Sequence, residues 1–156
     1  MRFSAMVAGA AMLVAACGGS KGGEAAPKAE APSTAAATPP AAAGTGNTVT
    51  IEMVTTGANA FKFVPENVVI KAGDVVVFKG VSGSGHDVAF DKDSIPPGAA
   101  AFLTAAVKGG PQDMATDMIT DGSSVSVSFA GAPVGKYKIY CIPHLAMGMK
   151  GTITVQ

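Results

Sequence analysis

The stretch Tyr137-Lys138-Ile139-Tyr140-Cys141-Ile142-Pro143-His144-Leu145-Ala146-Met147-Gly148-Met149-Lys150-Gly151-Thr152-Ile153-Thr154-Val155 decides how the rest of the chain is read. It reads as a strand, a short loop and a second strand, with a thiol, an imidazole and a thioether spaced Cys-x2-His-x4-Met. Soft sulfur holds Cu(I) while imidazole nitrogen still accepts Cu(II), so a thiolate, neutral imidazoles and one weak thioether suit copper. The loop supplies one imidazole. The other has to come from His86, the only other histidine in the chain. Alternation along the first strand puts Tyr137, Ile139 and Cys141 on one face and Lys138 and Tyr140 on the other. Cys141 therefore leaves the sheet pointing inward, and a tight loop at Pro143 turns His144 and Met149 back toward it.

Upstream, from Thr48 on, short apolar alternations between turn residues predict an all-β sandwich or barrel. Val49, Ile51 and Met53 alternate with polar neighbours, and residues 61–78 read as two strands around Ala72-Gly73-Asp74, with Pro65 at an edge or bulge. After the flexible Ser82-Gly83-Ser84-Gly85, a strand starts at His86 and runs to Phe90. Ile95-Pro96-Pro97-Gly98 is a turn, Ala99 to Val107 a short helix, and Gly109-Gly110-Pro111 its end. Met114 and Met118 are spaced like one face of a helical turn and read as packing residues. Val125, Val127 and Phe129 alternate with serines before the turn at Pro133-Val134-Gly135.

The 156 residues leave room for one ordinary domain, expected over residues 47–156. Eleven basic against eleven acidic residues give no field that would imply nucleic acid or an acidic surface as partner. Residues 1–16 carry Arg2 and then an apolar run too short to span a bilayer comfortably, which fits an export signal. The run ends Val14-Ala15-Ala16-Cys17-Gly18, resembling the lipobox of bacterial lipoproteins, so Cys17 is expected to be acylated and to anchor the protein. With Cys17 so used, no disulfide to Cys141 is expected. Residues 18–46 are Gly, Ala, Pro, Ser and Thr with a few charges. They lack the apolar side chains to offset the entropy of folding, so 17–46 reads as anchor plus disordered tether, its 29-residue linker spanning roughly 30 Å as a coil. An extracytoplasmic, lipid-anchored location on a bacterial membrane follows.

The pattern Gly135-x-Tyr137-x-x-Tyr140-Cys141-x-Pro143-His144, followed by Met149, resembles the copper loop of the plastocyanin and pseudoazurin branch of the cupredoxins. Phe63-x-Pro65, Gly73-Asp74-x-Val76-x-Phe78 and His86-x-Val88-x-Phe90 resemble the N-terminal strands of the same family. The resemblance implies a Greek-key β-sandwich of seven to eight strands with one short helix, preceded by the linker. It also implies one copper ion with His86, Cys141 and His144 as equatorial ligands and Met149 as the axial one. Met147 lies three residues from His144 rather than five and is passed over. Asp87 stands where the family often has asparagine, which bears on the hydrogen bonds around the thiolate, and the segment between His86 and Cys141 is longer than in the smallest members.

A lone cysteine or histidine would read as a packing residue. Here the only two histidines fall at predicted strand ends and one shares a loop with Cys141, which favours a site. Structural zinc would want four cysteines or histidines, a dinuclear copper centre two loop cysteines, and a thiol–histidine hydrolase an oxyanion hole that no pattern supplies. A site with every position filled by protein suits electron transfer rather than catalysis, and the chain is expected to be a monomeric carrier between a redox donor and acceptor. His144 is expected to pass the electron within an apolar docking patch of Leu145, Ala146 and Met147, with Tyr140 as a second exit. Copper storage or delivery is the alternative function.

Overall fold

A computed structural model of the chain describes residues 46–83 and 85–156. The expected export signal, Cys17, the tether as far as residue 45, and Ser84 lie outside the described residues. The described residues form eight strands: β1 (Thr48–Gly57), β2 (Ala60–Val64), β3 (Asn67–Ile70), β4 (Val75–Gly80), β5 (Ala89–Phe90), β6 (Ser124–Ser128), β7 (Gly135–Tyr140) and β8 (Lys150–Val155). Among the described residues one helix, α1 (Ala99–Ala106), and a 3-10 turn at Leu145–Met147 join them. The strands form two four-stranded mixed sheets, ordered β2-β1-β4-β6 and β3-β8-β7-β5. The parallel pairs are β1 with β4 and β3 with β8. This is the all-β sandwich with one short helix that the sequence led us to expect.

Alternation places the core. Ile51 and Met53 of β1, Phe63 of β2, Val76 and Phe78 of β4, Tyr137 and Ile139 of β7 and Ile153 and Val155 of β8 are all buried between the sheets. Each such side chain withdrawn from water contributes about 1.5–3 kcal/mol. Tyr137 meets Phe90 and Phe129 edge-on, at interplanar angles of 88° and 89°, an arrangement that ring quadrupoles favour. Its hydroxyl is not orphaned, since it donates to the Pro133 carbonyl at 2.6 Å. Helix α1 buries Ala99 and Leu103 and sets Phe102 against Phe129. It stops at Val107, which is extended and whose N–H donates to the Leu103 carbonyl.

Three expectations need correcting. Residues 61–78 hold three strands, not two, because the chain crosses at Pro65 from β2, an edge of one sheet, to β3, an edge of the other. Proline has no N–H to donate, so it fits where pairing stops. The strand expected from His86 to Phe90 pairs with β7 only at Ala89 and Phe90. Its upstream half bonds to residues 114–119 instead. His86 and Ile119 exchange backbone bonds of 2.9 and 2.6 Å, and the Val88 carbonyl accepts the Thr116 N–H at 3.0 Å. Those bonds and the bridges at Ala115, Thr116 and Ile119 leave no helical turn there, and Met114 itself has φ 59°, so Met114 and Met118 do not share a helical face. Met114 is buried as expected, but Met118 is 57% exposed and packs in no core.

At one end of the sandwich, buried Asp74 ties β1 to the β3–β4 turn. Its two carboxylate oxygens accept the N–H groups of Asn47 and Lys71, each at 2.8 Å. Removing a charged acceptor strands both donors. Asp74→Ala is expected to lower unfolding stability by about 3 kcal/mol, read as a fall in the urea midpoint with an unchanged slope.

Candidate metal centre

Strand β7 delivers Cys141 one residue past its end, where the side chain is fully buried. The Cys141 N–H donates to the Met149 carbonyl at 3.2 Å, extending the β7–β8 ladder one step beyond the Tyr140–Lys150 pair. Between these two residues the backbone folds onto itself. The His144 N–H donates to the Cys141 carbonyl at 3.2 Å, and the His144 carbonyl accepts from both Met147 and Met149, at 3.0 and 3.2 Å. The 3-10 turn Leu145–Met147 closes at Gly148, which has φ 81°. That left-handed conformation suits glycine, which has no Cβ to strain it.

Cys141 Sγ lies 3.3 Å from His144 Nδ1 and 3.9 Å from His86 Nδ1. The three donor atoms all fall within 4.8 Å of one another. His86 is held in a ligating tautomer by its other nitrogen: Nε2–H donates to the Ser82 carbonyl at 3.0 Å, which leaves the Nδ1 lone pair facing the sulfur. Ser82 is braced in turn by Thr55, whose Oγ1 donates to the same carbonyl. Gly83, at φ 119°, passes so close that a Cβ there would collide with Thr55 Oγ1 and His86 Nε2. The His144 ring lies flat on Phe61 of β2, with centroids 3.7 Å apart and planes 8° from parallel.

Charge is disfavoured in this enclosure. Burial pushes the Cys141 thiol up to about 11, although the Asp87 backbone N–H works against the rise. Burial also lowers the His144 pKa, with repulsion from His86 adding to it. Asp87 is 1% exposed and burial raises its pKa, opposed chiefly by the Ile142 N–H that its carboxylate accepts. That bond is 2.6 Å long. The Asp87 carboxylate thereby pins the ligand loop to the His86 segment.

The donor chemistry fits copper. One thiol hydrogen can serve only one of the two imidazole nitrogens beside it, whereas a single cation would satisfy the sulfur and both nitrogens together. A thiolate with neutral imidazoles matches the copper preference for mixed soft and borderline donors. The predicted residues sort cleanly by placement. His86, Cys141 and His144 come together, and Met149 is fully buried at the end of the same loop. Met147, whose spacing from His144 set it aside, is 40% exposed. Leu145 and Ala146 are exposed beside it, and Tyr140 is half-buried with its hydroxyl accepting from Gln112 at 2.8 Å. Phe61, Ser82 and Gly83 are not singled out by the sequence. Only the position of Ser82-Gly83 just ahead of His86 hints at a role.

Fold and donors together define a mononuclear copper protein. Residues 47–156 match the family described as copper binding proteins, plastocyanin/azurin family. The chain is 35% identical over 110 residues to the chloroplastic plastocyanin of Fritillaria agrestis, spanning 70% of this chain and 61% of that protein. It is 38% identical over 99 residues to the plastocyanin of Scenedesmus fuscus, spanning 64% and 91% respectively. The solved structure of oxidised plastocyanin from Dryopteris crassirhizoma matches with a TM-score of 0.53 at 29% identity, over 69% of this chain and 100% of that one. A Sinorhizobium pseudoazurin matches at 0.52 and 27% identity, over 70% and 74%. The chain belongs to the plastocyanin/azurin family of copper binding proteins, which are carriers and not enzymes.

Because the metal-free thiol titrates near 11, an incoming ion has to displace a proton at any lower pH. Copper affinity is therefore expected to rise about tenfold per pH unit between pH 7 and 10, levelling as the thiol's own pKa is reached. Calorimetric titrations at pH 8 in buffers of different ionisation heat should give one proton released per copper. Release of none would mean that Cys141 does not bind as thiolate.

Proposed function

We propose that the chain is a membrane-tethered carrier of single electrons, with His86, Cys141, His144 and Met149 holding one copper ion. The observation that carries this reading is the convergence of two imidazole nitrogens and a thiol sulfur within 4.8 Å, inside a shell that leaves three of the four side chains fully buried and His144 only 5% exposed. Copper bound there supplies a one-electron couple. The surrounding chain supplies rigidity: β7 and β8 hold Cys141 and Met149 in register, Ser82 fixes the His86 ring, and Asp87 fastens the loop to the His86 segment. Such bracing keeps the same donors in place whatever the charge they face. A storage or delivery protein would have to surrender its ion readily, and a site this enclosed opposes that.

His144 is the outermost of the four, so electrons leave and enter most directly past it. Leu145 and Met147 beside it are 41% and 40% exposed. With Ala146 they form the small apolar patch on which a redox partner docks briefly, as small interfaces allow. Tyr140, adjoining Cys141, is the second exit. The copper-loaded protein should absorb strongly in the visible when oxidised, as thiolate-to-copper charge transfer requires. Leu145→Glu should leave that band intact and slow electron self-exchange between two copies by about tenfold, through like-charge repulsion at the contact. An unchanged exchange rate would remove the patch from the mechanism.

The tether and its anchor extend this reading to the cell. An acylated Cys17, followed by 29 residues without large apolar side chains, would hold the copper domain close to an extracytoplasmic membrane face while leaving it free to reach its donor and acceptor. Multiple acyl chains anchor far more firmly than one. In a bacterial host, Cys17→Ser is expected to move the protein from the membrane to the soluble fraction; retention in the membrane would refute the lipid anchor.

A further inference from the structure

The four proposed ligands all belong to the sheet ordered β3-β8-β7-β5 or to loops at its end, yet the outermost of them is faced by a side chain from the other sheet. Phe61 of β2 lies 3.7 Å from His144, centroid to centroid, at 8° from parallel, and presents its edge to His86 at 6.1 Å. No hydrogen bond from a neighbouring protein group, among the described residues, holds His144 Nε2, whereas His86 Nε2 donates to Ser82. The stack restrains the plane of the His144 ring, as the Ser82 carbonyl restrains the His86 ring. Phe61 is itself located by its partner across the β1–β2 pair, Thr55, the residue that also braces Ser82.

The chemistry of the stack makes it selective for the loaded site. A phenyl face is electron-rich and attracts positive charge. An imidazole whose nitrogen donates to a cation is electron-poor, so it gains more from lying on Phe61 than the free ring does. A contact stronger in the bound state than in the empty one draws the equilibrium toward binding. We propose that Phe61 is a positioning residue for the copper centre, an aromatic clamp that holds the His144 imidazole in place and slows loss of the ion. This rests on the reading of His144 as a ligand.

Three full-length variants test it: Phe61→Leu keeps apolar bulk without the aromatic face, Phe61→Tyr keeps the face, and Phe102→Leu trims a comparable ring packed on Phe129 in the core. Phe61 lines a groove of about 190 Å³ together with Asn59, Met147 and Gly148. Copper loss from the reduced protein is followed with the chelator bathocuproine disulfonate, beside the visible band of the oxidised form. Phe61→Leu is expected to lose copper about fivefold faster, the factor of an ordinary aromatic pair, while Phe61→Tyr and Phe102→Leu match the wild type. Equal loss from all four proteins overturns the clamp, as does a faster loss shared by Phe61→Leu with either Phe61→Tyr or Phe102→Leu. A copper-loaded wild type with no visible band would instead overturn the ligand assignment itself, before any Phe61 variant is considered.

Discussion

The backbone bond from Cys141 N–H to the Met149 carbonyl governs the centre. It carries the β7–β8 ladder one step past its last regular pair and so fixes both ends of the intervening loop. The residues from Ile142 to Gly148 must then fold within a closed ring. The His144 carbonyl accepts from Met147 and Met149, and the His144 N–H binds back to Cys141. A thiol, an imidazole and a thioether-bearing residue are thereby delivered to one end of one sheet without any long-range search. The fourth residue, His86, arrives on an adjoining segment that Asp87 fastens to Ile142.

The two sheets divide the work. One, with the loops at its end, carries every proposed donor, while Phe61 of the other and the Ser82 loop that follows β4 hold the imidazoles still. Thr55 of β1 stands at the junction, since it pairs with Phe61 and donates to the carbonyl that receives His86 Nε2. The distance between the sheets is set farther down by rings, with Tyr137 wedged edge-on between Phe90 and Phe129. Strand β7 rises about 3.3 Å per residue, so that wedge sits about 13 Å from Cys141. Packing in the middle of the sandwich and geometry at its end are linked through a single strand.

Much of this is legible in the residues. Period-two alternation identifies β1, β4, β6 and β7, and the spacing of Cys141, His144 and Met149 marks the loop, because both signals are local. The burial of Met149 against the exposure of Met147 follows from the same short turn. What the sequence hides depends on contacts distant along the chain. Phe61 is 83 residues from His144, and nothing in Phe61-Lys62-Phe63 distinguishes the ring that packs the core from the ring that faces the site. Met118 misleads for a related reason: a spacing of four from Met114 fits a helical face equally well until the bonds to residues 86–90 hold the segment out of a helix. Pro65 reads as an edge or bulge, and its place between two edge strands gives that reading a physical cause.

Residues 114–119 have a value apart from the redox site. Strand β5 is only two residues long and ends its sheet, so the segment from His86 to Phe90 would otherwise present a row of free amides and carbonyls to solvent. Ile119, Thr116 and Met114 occupy those groups. Bare sheet margins invite strand addition by neighbouring molecules and so seed aggregates. The stretch with the least regular sequence therefore occupies the very groups that a bare margin would leave open to strand addition.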